Sequence, residues 1–82
     1  MSDFGRLYVE RLGLLSVIVL SNESVISKND KLTAIEEIAC FKNGKPHLMT
    51  VRWTKNLKSG FSYKVEKSKA ISEDDYRRLI DK

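Results

Sequence analysis

Residues 35–53 read Ile35-Glu36-Glu37-Ile38-Ala39-Cys40-Phe41-Lys42-Asn43-Gly44-Lys45-Pro46-His47-Leu48-Met49-Thr50-Val51-Arg52-Trp53, and how they are read decides the fold. Asn43-Gly44 is the pair that a two-residue type I′ hairpin turn favours, because both central residues need a positive φ. The second arm alternates, with Met49, Val51 and Trp53 on one side and Leu48, Thr50 and Arg52 on the other, as a half-buried strand does. Pro46 falls near the start of that arm, a tolerable place in a sheet. A rival reading makes residues 31–42 a helix, with Thr33-x-x-Glu36 as capping box and Gly44 as terminator. The alternation of residues 47–53 favours the hairpin.

Upstream, Phe4, Leu7, Tyr8, Arg11 and Leu12 follow the spacing of one helix face, and Ser2 could cap it; Leu7-Tyr8-Val9 could begin a strand instead, but the spacing favours the helix. Gly13 breaks the pattern. Leu14 to Leu20 read as a buried strand closed by a turn at Ser21-Asn22-Glu23-Ser24, with Val25-Ile26 beginning a return strand. Downstream, Thr54 to Gly60 read as a polar loop, and Phe61, Tyr63 and Val65 alternate with Ser62, Lys64 and Glu66 as the next strand. Ser72 and Asp75 form a capping pattern for a terminal helix. Ile71 and Tyr76 make a hydrophobic staple, and Tyr76, Leu79 and Ile80 share one face.

The expected fold class is α+β, a single domain over residues 1–82. It has a small antiparallel sheet of four to five strands, the hairpin turn at Asn43-Gly44, a C-terminal helix and a short N-terminal helix. Antiparallel pairing places Met49, Val51 and Trp53 with Phe61, Tyr63 and Val65 on a core face against the terminal helix. Arg52 and Lys64 fall on the opposite, polar face, whose nearest acid is Glu37.

Eighty-two residues with 41% hydrophobic content support one modest core, and a chain this short leaves homodimerisation open as extra stabilisation. The single cysteine excludes an internal disulfide framework, and Cys40 with His47 cannot supply a zinc ligand set, so no metal and no cofactor is expected. The apolar run Leu12 to Leu20 is about half a membrane span. Asp3 and Glu10 cancel Arg6 and Arg11 where a signal peptide would need positive charge. A cytoplasmic protein without membrane association is the expectation.

Charge carries the functional signal. Residues 42–70 hold Lys42, Lys45, Arg52, Lys55, Lys58, Lys64, Lys67 and Lys69 against Glu66 alone, a local balance of +7 within a net charge of +4. Such a field attracts an acidic partner and speeds encounter. Lys42, Lys45, Arg52, Lys55, Lys58 and Lys64 are the candidate nucleic-acid-binding residues, placed to replace counterions on an RNA or DNA backbone with little sequence specificity. Trp53, Phe61 and Tyr63 are candidates for base stacking, although their alternation suits a core. Lysines on a solvated face, or protecting sheet edges from aggregation, are the bland alternative.

No recognisable nucleic-acid motif accompanies the charge. Cys40 and His47 face each other across the hairpin without an orienting third group, so a nucleophile is not expected there. Asp74-Asp75 lie at a helix N-terminus and Glu36-Glu37 point to opposite strand faces, so neither is an acid–base pair. The expectation is therefore a binding protein and not an enzyme. The runner-up is an inhibitor or adaptor, of the kind a phage or mobile element carries, that docks its basic face on an acidic host protein.

Overall fold

The computed structural model describes residues 5–26, 31–56 and 60–81. The order of elements is α1 (Gly5–Leu12), β1 (Leu15–Ile26), β2 (Leu32–Lys42), β3 (Lys45–Asn56), β4 (Gly60–Ala70) and α2 (Glu73–Ile80). The four strands form one antiparallel meander in the order β1-β2-β3-β4, so the chain is α+β with a four-stranded sheet. The long dimension of the molecule, 42 Å, is about the length of a twelve-residue strand at ~3.4 Å per residue.

The hairpin is the geometric centre. Asn43 (φ 53°) and Gly44 (φ 78°) both adopt the left-handed conformation of the type I′ turn. β2 and β3 then pair without interruption from Lys42 opposite Lys45 to Leu32 opposite Lys55. This rules out the helical alternative for residues 31–42. The pairing sets Ala34, Glu36, Ile38 and Cys40 beside Trp53, Val51, Met49 and His47 on one face.

That face is covered by the N-terminal helix. Tyr8 and Leu14 join Ala34, Ile38, Cys40, Met49, Val51 and Trp53 in the buried core, with Leu7, Leu12, Val17 and Phe61 packed around it. Tyr8 meets the Trp53 ring edge-on at 5.1 Å. The expectation that the C-terminal helix covers this face is therefore corrected. α2 packs on the opposite face, at the hairpin end of the sheet. There Tyr76 lies edge-on to Phe41 at 4.9 Å and its hydroxyl donates to the Ser16 carbonyl at 2.8 Å.

The physical reason is the short connection. β4 ends with Ala70 opposite His47, beside the hairpin, and only Ile71 and Ser72 precede α2. The Ile71 N–H donates to the Pro46 carbonyl at 3.0 Å and fixes the exit. Phe41, Pro46, Ala39 and Leu48 offer an apolar surface within reach on that side. The cap of α2 forms as the sequence indicates: the Ser72 hydroxyl accepts from the Asp75 N–H at 3.1 Å, with three acids in the first turn.

β1 differs from expectation in two ways. It is an exposed edge strand rather than a buried one, and it runs on through Ser21–Ser24, where a turn was expected, to Ile26. Residues 21–26 pair one for one with β2, and the Asn22 side chain donates to Glu36 at 2.7 Å. A polar side chain with a partner in the sheet thus holds as strand what composition marks as turn. Irregularities between Leu15 and Ile18, where Ser16 has φ 51°, and between Val19 and Ser21 kink its first half.

Candidate nucleic-acid interface

The face opposite Tyr8 and Trp53 divides into two parts. α2 covers the hairpin end. Beyond it, direct pairing sets Arg52 opposite Lys64, Thr50 opposite Lys67 and Leu48 opposite Lys69. Directly paired residues point to the same side, so Arg52, Lys64, Lys67 and Lys69 share one face along β3 and β4.

A β-bulge makes this possible. Val51 pairs with Val65 but Thr50 pairs with Lys67, so Glu66 is the extra residue. Strict alternation from Lys64 would have turned Lys67 and Lys69 to the core side, and the extra residue reverses their phase. The Glu66 carboxylate lies 3.0 Å from Arg52 Nε, and both side chains are partly exposed. Arg52 and Lys64 are like charges directly opposite, an arrangement that is unfavourable by itself and that Glu66 offsets.

The six residues named from sequence do not form one surface. Arg52 and Lys64 are brought together. Lys55 pairs with Phe61 and falls on the core side, its Nζ 5.3 Å from the Phe61 ring centroid, a cation–π contact. Lys42 and Lys45 face each other at the hairpin, two register steps from the Cys40–His47 pair. Lys58 lies outside the described residues. Lys67 and Lys69, not named from sequence, belong to the group. The single visible hint was that the apolar alternation of Phe61, Tyr63 and Val65 stops at Val65.

The neighbourhood is asymmetric. Across the same face, Glu23 pairs with Ile35 and Glu37 with Ser21 and Thr50, so acids lie on the β1–β2 side and cations on the β3–β4 side. At the α2 end, Lys69 and Arg78 line a shallow cleft with Leu48, Ile71, Asp75 and Leu79. Arg78, which the sequence places among the acids of the terminal helix, thus adjoins the strip. The expected role of Glu37 as the acid nearest Arg52 passes to Glu66.

Aromatic side chains take no place on this strip. Trp53 is fully buried, Phe61 is half-buried against the core, and Tyr63 lies on the core side with its ring 5.5 Å from that of Trp53. Trp53 is therefore a core residue and not a stacking platform. Cys40 and His47 do face each other as expected, but the thiol contacts the Met49 sulfur at 3.6 Å and His47 Nδ1 lies 2.9 Å from the Lys45 carbonyl oxygen. Burial pushes the thiol pKa up, opposite to what a thiolate nucleophile needs.

A second polar group sits in the core. The Tyr8 hydroxyl donates to Glu36 Oε1 at 2.6 Å and accepts from Trp53 Nε1–H at 2.8 Å, while Asn22 donates to Glu36 Oε2. Glu36 is fully buried. This network ties α1 to three strands, and the sequence showed neither the burial of Glu36 nor its partners.

Among the described residues, no group of three or more His, Cys, Asp or Glu side chains is placed to hold a metal ion, and no helix is long and apolar enough to cross a membrane. In comparison with known proteins, the chain matches no family model, no curated protein and no solved structure.

Proposed function

We propose that this protein binds nucleic acid by laying the strip Arg52, Lys64, Lys67 and Lys69 along a phosphate backbone. The observation that supports it is the bulge at Glu66, which turns two further lysines to the face that already carries Arg52 and Lys64. Alternate residues of a strand are separated by ~6.6 Å, so the strip presents evenly spaced point charges along one edge. Such contacts replace condensed counterions and read charge and shape rather than base identity. No aromatic residue among those described accompanies the cations, so little sequence preference is expected.

The test is a gel-shift titration against short single-stranded RNA, single-stranded DNA and duplex DNA at two or more salt concentrations. Four phosphate contacts give a log–log salt slope of roughly −3 to −4, at about 0.7 to 0.9 per contact. Arg52→Glu, Lys64→Glu and Lys67→Glu should each weaken binding several-fold. Lys55→Glu and Lys42→Glu change the net charge equally but lie off the strip, and should have little effect. Absence of binding at low salt, or equal losses from all five reversals, would overturn the proposal. The lack of a stacking residue on the strip favours one second reading, an inhibitor or adaptor docking this face on an acidic protein, and failure against all three nucleic acids would point there.

A further inference from the structure

We infer that two copies of this chain join through their β1 edges, in antiparallel register, to form one continuous eight-stranded sheet. The proposal stands apart from nucleic-acid binding and rests on the contrast between the two sheet edges. β4 is protected as natural edges are: Lys64, Lys67 and Lys69 keep it from pairing with another copy of itself. β1 is its opposite. Over Leu15–Ile26 it carries a single charged side chain, Glu23, with no lysine and no proline.

The second half of β1 is the part fit for pairing. Residues 21–26 run in unbroken register with β2, whereas both irregularities lie before Ser21. At its end Val25 and Ile26 point to opposite faces and are 66% and 74% exposed. Among the described residues no strand neighbours the outward backbone groups of this segment, because β1 is terminal in the sheet.

Charge distribution favours a second copy as the occupant. Across the sheet the cations collect on β3 and β4, so joining β1 to β1 keeps the two positive strips at the far edges. Seven inter-strand steps of ~4.8 Å would separate the two β4 strands by up to ~34 Å, well beyond the ~8–10 Å over which salt lets charges interact. A two-fold axis centred on Ser24 sets Val25 opposite Glu23 of the second copy and Ile26 opposite Asn22 of the second copy. The two Glu23 carboxylates are then diagonal and not directly opposed, and each is flanked by an apolar neighbour. Identical strands paired antiparallel about a two-fold axis make a closed, isologous interface, so the assembly stops at two.

Sedimentation velocity across a concentration series from micromolar to near-millimolar tests this. The expected result is a shift from 9.4 kDa toward ~19 kDa, twice the chain mass. Val25→Lys, on an exposed position, should leave the circular dichroism unchanged and weaken dimerisation at least tenfold, and Ile26→Lys should do the same. Lys67→Glu, on the other edge, should leave it unaltered. Nitroxide labels at Ser24→Cys should give a short inter-copy distance and labels at Lys67→Cys a long one; Cys40 is buried and does not compete for the label. A monomer at every concentration would overturn the proposal and leave the β1 edge to a strand of another protein. So would unaltered dimerisation in both edge variants, or a short distance at Lys67 with a long one at Ser24.

Discussion

Replacing Tyr8 by Phe removes one oxygen atom from the junction of α1, β2 and β3, and the structure sets the size of the loss. The hydroxyl makes a 2.6 Å hydrogen bond to the buried Glu36 carboxyl and receives one of 2.8 Å from the Trp53 indole. Each such hydrogen bond contributes about 0.5–1.5 kcal/mol net, so the two together amount to roughly 1–3 kcal/mol. The ring itself stays, and with it the edge-on contact to Trp53, so little apolar burial is lost. In a domain of this size each kcal/mol moves Tm by ~4–8 °C, which predicts a fall of roughly 4–24 °C. Trp53, the single tryptophan, serves as the fluorescence probe, and its indole N–H resonance should shift on loss of the Tyr8 acceptor. Tyr76→Phe is the control: its hydroxyl bonds one backbone carbonyl at the sheet margin, worth about 0.5–1.5 kcal/mol. If Tyr8→Phe lowers stability no more than Tyr76→Phe, the buried network does not hold α1 in place.

Three further outcomes are expected. Gly44→Val should destabilise by about 1–2 kcal/mol in urea unfolding; a Cβ there meets nothing within 4 Å beyond its chain neighbours, and the cost comes from the left-handed φ of 78°. Burial raises the Cys40 thiol and the Tyr8 phenol above their ordinary values of 9.0 and 10.0. The unfolded chain therefore releases these protons first and binds fewer of them above pH 9, so stability should be level below that pH and fall as pH rises, by at most ~1.4 kcal/mol per unit for each group. Cys40→Ala should delay the onset of that fall to the tyrosine range, which pH-dependent thermal melts would show. Deleting Glu66 should leave the fold and the pairing of Lys67 with Thr50 intact, because it removes only the extra residue of the bulge, and should tighten rather than weaken nucleic-acid binding.

What the sequence made legible was local. Asn43-Gly44 specifies its turn through backbone conformation alone, and Ser72 with Asp75 specifies a helix start through one hydrogen bond, so both were readable without knowing the rest of the fold. The side to which α2 returns was not, since it depends on the length of a two-residue connection and on an apolar patch built from Phe41, Pro46 and Leu48 of two strands. Ser21–Ser24 read as a turn because each residue favours turns; Asn22 is held in a strand by Glu36, fourteen positions away. The candidate site suffered from the same distance effect. Arg52 and Lys64 follow from simple alternation, but the inclusion of Lys67 and Lys69 hangs on an unpaired residue at position 66, and Lys55, read as part of a loop, lies in β3 and pairs with Phe61 on the core side.

The clamp made by Tyr8, Glu36 and Trp53 also sets an order of events during synthesis. Tyr8 leaves the ribosome 28 residues ahead of Glu36 and 45 ahead of Trp53. At ~5–20 residues per second, several seconds pass before its last partner has even been made. An eight-residue segment has little helicity by itself in that interval. The first described helix therefore gains its Tyr8–Trp53 contacts only after the third strand exists, and a nascent chain stalled before Trp53 carries Tyr8 without its edge-on ring partner.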